Sequence, residues 1–171
     1  MKLINKLIAL TLCLSSYTQA FDDQICNANI TPSTPNENFT INDDGTVIDK
    51  STGLMWMRCT YGQGFKDNDC IGLPETTNWK EALNIAENST YAGYSDWRLP
   101  NIKELFSIVE NSCSAPAINL TVFPNTSAGA LWSSSPYRAS NSIWYLFLHD
   151  GDTWHDTENY MPHDFKLVRD H

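Results

Sequence analysis

Apolar positions recur at helical spacing in two stretches of this chain and cluster in short runs elsewhere. Trp79, Ala82, Leu83 and Ala86 fall on one face, which predicts a helix from about Trp79 to Glu87. Asn78 precedes it as a cap, and Glu81 three residues on completes a capping box. The second stretch places Ile102, Leu105, Phe106 and Val109 on a face predicted to be buried, with Asn101 as cap and Glu104 three residues later. Before the helices, Thr46–Asp49 and Leu54–Met57 read as paired strands, bounded by the turn signals Asn42–Gly45 and Lys50–Gly53. The segment Thr60–Thr77 is polar and glycine-bearing and reads as a loop. After the helices, Ala130–Ser134, Ser142–Leu148 and Phe165–Arg169 read as strands, and Ser142–Leu148 is apolar on both faces, as a central strand would be. His149–Asp164 reads as a polar loop too long for a tight hairpin. The order strands, two helices, loop, strands predicts an α+β domain with a mostly antiparallel sheet.

The first residues change the picture of the chain's address. Lys2 and Lys6, the apolar run Leu7–Leu14 and the small residue Ala20 form a secretory signal over residues 1–20. The run is shorter than the roughly 20 residues a membrane span needs. Cys13 follows Leu12, where lipid attachment wants a small side chain, so lipidation is disfavoured. No later stretch would anchor the mature chain. Residues 21–38, with Pro32 and Pro35, read as an extended N-terminal arm, and residues 39–171 as one domain. Loss of Lys2 and Lys6 moves the formal charge from −9 to −11. Such acidity repels nucleic acid, which is not expected as a partner. The mature chain keeps Cys26, Cys59, Cys70 and Cys113. In an exported protein they read as two disulfides with three pairings open. Cys59–Cys70 as a local clasp and Cys26–Cys113 as a tether for the arm are favoured. Zinc is disfavoured, since no C-x-x-C pair exists.

Gly93–Leu105 is the most distinctive stretch. It runs from a turn through Trp97 and Arg98 into the cap formed by Asn101 and Glu104. Packing accounts for it better than ligand binding: Trp97 fills a core, and Arg98 pairs with an acid such as Glu104, because a partly buried cation needs a partner. With Asp44–Trp56, Trp79–Leu83, Phe123-Pro124, Trp132–Ser135 and Val168-Arg169, this segment resembles the Lcl C-terminal domain family over about Asp44–Arg169. The resemblance implies a single compact C-type-lectin-like fold, related to the sulfatase-modifying-factor group. It also implies a binding role, since the best-known member is the terminal domain of a collagen-like adhesin that binds sulfated polysaccharides. This chain departs from that member in having no Gly-X-Y tract, and its acidity argues against a sulfated polyanion.

The segment His149–Tyr160 is the candidate contact region. Trp154 and Tyr160 offer aromatic faces for stacking, while Asp150, Asp152, His155 and Asp156 offer hydrogen-bond partners. The three aspartates also suit calcium by chemistry, but they match no EF-hand pattern, and the His spacing matches no helical zinc site, so no metal or other cofactor is expected. Ser133–Ser135 lack a G-x-S-x-G elbow, and the cysteines are committed to disulfides, so no catalytic residue is expected. The sequence therefore reads as an exported, non-catalytic binding module for carbohydrate or another surface polymer. A protein-interaction domain of an envelope or surface assembly is the alternative, and an uncharacterised hydrolase the third reading.

Overall fold

The computed structural model describes residues 24–157 and 161–171. The expected signal segment 1–20 and the first residues of the arm lie outside them. In chain order the strands are β1 (Ile25–Cys26), β2 (Phe39–Ile41), β3 (Thr46–Asp49), β4 (Leu54–Met57), β5 (Gly64–Lys66) and β6 (Asp69–Ile71), then β7 (Cys113–Ser114), β8 (Ala130–Tyr137), β9 (Ser142–Phe147), β10 (Asp152–Thr157) and β11 (Val168–Asp170). The helices are α1 (Trp79–Glu87) and α2 (Ile102–Ser107). The result is an α+β domain of mostly antiparallel strands.

Two sheets carry the core. One has four strands in the order β11-β4-β3-β2, the other three in the order β10-β9-β8. The turns Asn42–Gly45 and Lys50–Gly53 join β2, β3 and β4 into a meander, and Gly53 takes φ +73° while its N–H closes on the Asp49 carbonyl at 2.8 Å. Strand β4 is buried along its whole length. Its side chains therefore feed two cores: Leu54 and Trp56 pack with Leu105, Ile108, Phe123, Leu131 and Leu146, while Met55 and Met57 pack with Ala82, Trp97, Trp132, Ile143 and Phe165. Burying apolar side chains on both faces of one central strand is what lets a chain of this size build two cores on short elements.

Both helices are capped by the side chains that the sequence offers. Asn78 accepts the Glu81 N–H at 3.0 Å, and Asn101 accepts those of Lys103 and Glu104 at 2.9 and 3.1 Å. Glu104 returns the bond by accepting the Asn101 N–H at 2.8 Å. Arg98 donates to both Glu104 oxygens, at 2.7 and 2.9 Å, and to Asp170 at 3.1 Å, so the segment before α2 is tied to β11. Trp97 is 3% exposed and donates its indole N–H to the Tyr91 carbonyl. One position departs from the sequence reading. Phe106 is 52% exposed, because α2 ends after six residues and the chain then turns Ile108 inward instead.

Two polar segments read as loops are hairpins. Within Thr60–Thr77, β5 and β6 pair across Asp67 and Asn68, both in the left-handed region at φ +52° and +63°. Within His149–Asp164, β10 pairs with β9 in register from Asp152↔Phe147 to Thr157↔Ser142. Gly151 makes the turn possible: at φ +82° its N–H reaches the Phe147 carbonyl at 2.9 Å, and an added Cβ would lie 2.8 Å from Val109. The expected strand at Phe165–Arg169 begins later, at Val168, although Phe165 and Leu167 accept main-chain bonds from Tyr61 and Met57.

The disulfides are Cys26–Cys113 and Cys59–Cys70. The arm is docked rather than merely extended. β1 lies against β7, Gln24 donates to the carbonyls of Pro116 and Ile118, and Glu110 holds Ser33 and Thr34. Glu110 is buried and accepts from the N–H and hydroxyl of Thr34 at 2.9 and 2.8 Å, and from those of Ser112 at 2.9 and 2.7 Å. Burial pushes its carboxyl up, but the bonds from Ser112 and Thr34 together outweigh that and hold it down at about 2. A carboxyl with a depressed folded pKa contributes stability above its unfolded pKa and loses it as pH falls toward the folded value. Glu110→Gln should therefore cost about 1.5–3 kcal/mol at pH 7. It should also flatten the loss of stability between pH 4.5 and about 2. Urea unfolding at pH 7, 4 and 2.5 checks this, and an acid limb parallel to the parent's would remove Glu110 as the latch.

Candidate functional site

A groove of about 530 Å³ runs between the arm and the body and includes Ile30, Pro32, Glu110 and Leu120 in its lining. Its buried charge, Glu110, is already committed to the arm. The surface around β10 is more open, with Asp152 and Trp154 exposed on it.

Strand geometry sorts the candidate residues. β9 lies in the middle of its sheet and β10 forms one edge. Side chains alternate across the sheet, so Asp152, Trp154 and Asp156 share one face, while Thr153, His155 and Thr157 share the other. On the first face Trp154 stands opposite Tyr145 and Asp156 opposite Ile143. Trp154 is 55% exposed. Asp152 is exposed and Asp156 half-buried. Further in, His163 lies against Tyr145 and Trp132, with ring centroids 4.6 and 4.2 Å away. Burial pushes the Tyr145 hydroxyl up, and the nearby Asp156 carboxylate adds to it. Burial pulls the His163 imidazole down against smaller upward contributions from the Pro162 carbonyl and Asp156.

His155 belongs elsewhere. It stacks on Tyr137 with centroids 3.8 Å apart and nearly parallel rings, and Trp144 meets both rings edge-on at 5.1 and 5.5 Å. One imidazole face is therefore spent on an internal contact, on the side of β10 opposite Trp154. Asp150 sits in the turn before β10 and accepts the Asp152 N–H at 3.1 Å. Tyr160 lies outside the described residues. Asp152 and Asp156 are four residues apart on an extended strand, about 13 Å, so they cannot ligate one calcium ion together. Among the described residues no group of three or more His, Cys, Asp and Glu side chains is arranged to hold a metal.

Sequence reasoning did not single out Tyr145, Trp144 or Tyr137, and it weighed His163 only as a zinc ligand, with His149 and His155. Trp144 and Tyr145 lie in the apolar run 142–148, but only the register assigns them to opposite faces. It also missed the buried charges beside the core that holds Val122 and Phe123. Arg58 is fully buried and donates to the carbonyls of Val122 and Thr121 at 2.8 and 3.1 Å. Lys166 donates to the Arg58 carbonyl at 2.7 Å. Burial pulls the Lys166 amine down to about 7, with Asp164 pulling the other way. Both cations satisfy main-chain acceptors and have a structural role.

Among the described residues no helix is long and apolar enough to cross a membrane. No curated protein matches the chain. A family model described as the Lcl C-terminal domain matches residues 45–169, from β3 into β11, which takes in the helices, the β9–β10 hairpin and the two main sheets except β2. The chain belongs to the Lcl C-terminal domain family.

Proposed function

We propose that this protein is an exported, non-catalytic binding module that contacts carbohydrate or another surface polymer through the Trp154 face of β10. The observation that carries this reading is the exposure of Trp154, 55% on an edge strand whose neighbours are locked into a sheet. A large indole left open on a rigid support offers stacking area at little entropic cost. Two disulfides and the signal-like residues 1–20 support export. The acidic surface disfavours nucleic acid and sulfated polyanions alike.

A second reading, docking of an extracytoplasmic protein, draws support from the edge position of β10, which presents a strand border to another chain. A glycan array probed with the parent protein and with Trp154→Ala separates the two. The expected result is a set of glycan hits lost in the variant, with unchanged melting curves. No glycan bound, together with a stable co-purified protein partner, would reverse the order.

A further inference from the structure

The geometry points to a ligand that carries protonated amines: a polymer of amino sugars with free amino groups, stacked on Trp154 and held by Asp152 and Asp156. This rests on the reading of the Trp154 face as the contact surface and names the chemistry that the surface fits. Residues two apart on a strand lie on one face about 7 Å from each other. Trp154 therefore has a carboxylate on either side along β10, within reach of a substituent on a ring stacked over the indole. The two kinds of contact are complementary, since an aromatic face attracts both a sugar ring and a cation, and the carboxylates attract the cation alone.

Charge complementarity extends beyond these three side chains. No Lys or Arg occurs between Arg138 and Lys166, whereas Asp150, Asp152 and Asp156 all fall on the hairpin. Asp150, in the turn before the strand, lines a hollow beside β1 and β7 and so adds only to the overall negative charge of the hairpin. The opposite side of β10 has a different character. There a shallow hollow is lined by Ile102, Lys103, Phe106 and Thr153, with a cation in place of the carboxylates. The two faces of one strand thus differ in charge, and the acidic one is the one with the open indole. A neutral glycan would gain stacking on Trp154 and hydroxyl hydrogen bonds to the carboxylates but no ion pair, and a sulfated one would be repelled.

The test uses soluble glucosamine hexamers, free-amine and fully N-acetylated, titrated into the protein at pH 6 and followed by indole fluorescence and calorimetry. Binding of the free-amine hexamer should be about tenfold tighter than that of the acetylated one at low salt, a size expected of two exposed charge pairs. The preference should collapse at 0.5 M salt and in Asp152→Asn/Asp156→Asn, while Trp154→Ala should lose both ligands. Melting curves of the variants, all altered at exposed or half-exposed positions, confirm folding. Equal binding of the two hexamers would overturn the amine inference while leaving the glycan reading standing. Binding of neither would overturn it as well, and the array then decides separately whether a neutral glycan is the ligand. Oligolysine bound as tightly as the hexamer and indifferent to Trp154→Ala would overturn it in favour of a basic protein segment.

Discussion

Trp97→Ala is expected to lower the unfolding free energy by about 3–5 kcal/mol, the usual cost of truncating a buried aromatic side chain. The indole is 3% exposed and sits among Met55, Met57, Ala82, Leu99 and Phe165, with Tyr91 and Tyr94 meeting it edge-on at centroid distances of 6.0 and 6.3 Å. Its N–H donates to the Tyr91 carbonyl at 2.9 Å, a bond the variant loses, although that carbonyl keeps the Tyr94 N–H at 3.1 Å. The cavity would open between α1, β4 and the segment leading to α2. For a domain of this length each kcal/mol moves the midpoint by about 2–4 °C, so a fall of about 10 °C or more should appear in a thermal melt. Ligand binding measured well below that midpoint should be unchanged. A melt that superimposes on the parent's would remove Trp97 from the core.

Removing the Cys26–Cys113 bridge with Cys26→Ser/Cys113→Ser should cost about 4–5 kcal/mol on the chain-entropy account, because the bridge closes a long loop. The sequence separation is 87, against 11 for Cys59–Cys70, which on the same account is worth only about 3 kcal/mol. The long bridge also joins facing residues of β1 and β7, so its loss frees the start of the arm directly. Glu110 and its bonds to Ser33 and Thr34 are expected to hold the rest of the arm in place. Urea unfolding of the double variant beside the parent measures the difference, with the slope checked for a change in surface exposed. An unchanged midpoint would show that the tether does not constrain the unfolded chain. Combining the variant with Glu110→Gln should cost more than the sum, because the two anchors hold one segment.

Much of the fold was legible where the deciding interactions are local. Helix α1 begins and ends where the spacing of Trp79, Ala82 and Ala86 and the Asn78 cap place it. The capping box of α2 needs only Asn101 and Glu104. The meander of β2 to β4 follows from turn residues a few positions apart. Phe106 shows the limit of periodicity. A face at helical spacing is buried only while the helix lasts, and α2 stops one residue after it. Strand β10 shows a second limit. An edge strand open on both faces carries no alternation of apolar and polar residues, so Asp152–Thr157 looks like a loop until its partner is known. The β5–β6 hairpin was hidden for the same reason.

By itself the sequence determined the α+β class, the capped helices, the cysteines available for pairing and the family to which the chain belongs. The tertiary structure decided which face each candidate side chain joins. The physical reason is the period of two along a strand: a segment must be known to be a strand, and in register, before its side chains can be assigned to one face or the other. That assignment put Trp154 between Asp152 and Asp156 and sent His155 to Tyr137 on the far side. Glu110 is the other example, since its partners Ser33 and Thr34 lie more than seventy residues away in sequence, and only the folded chain brings them together.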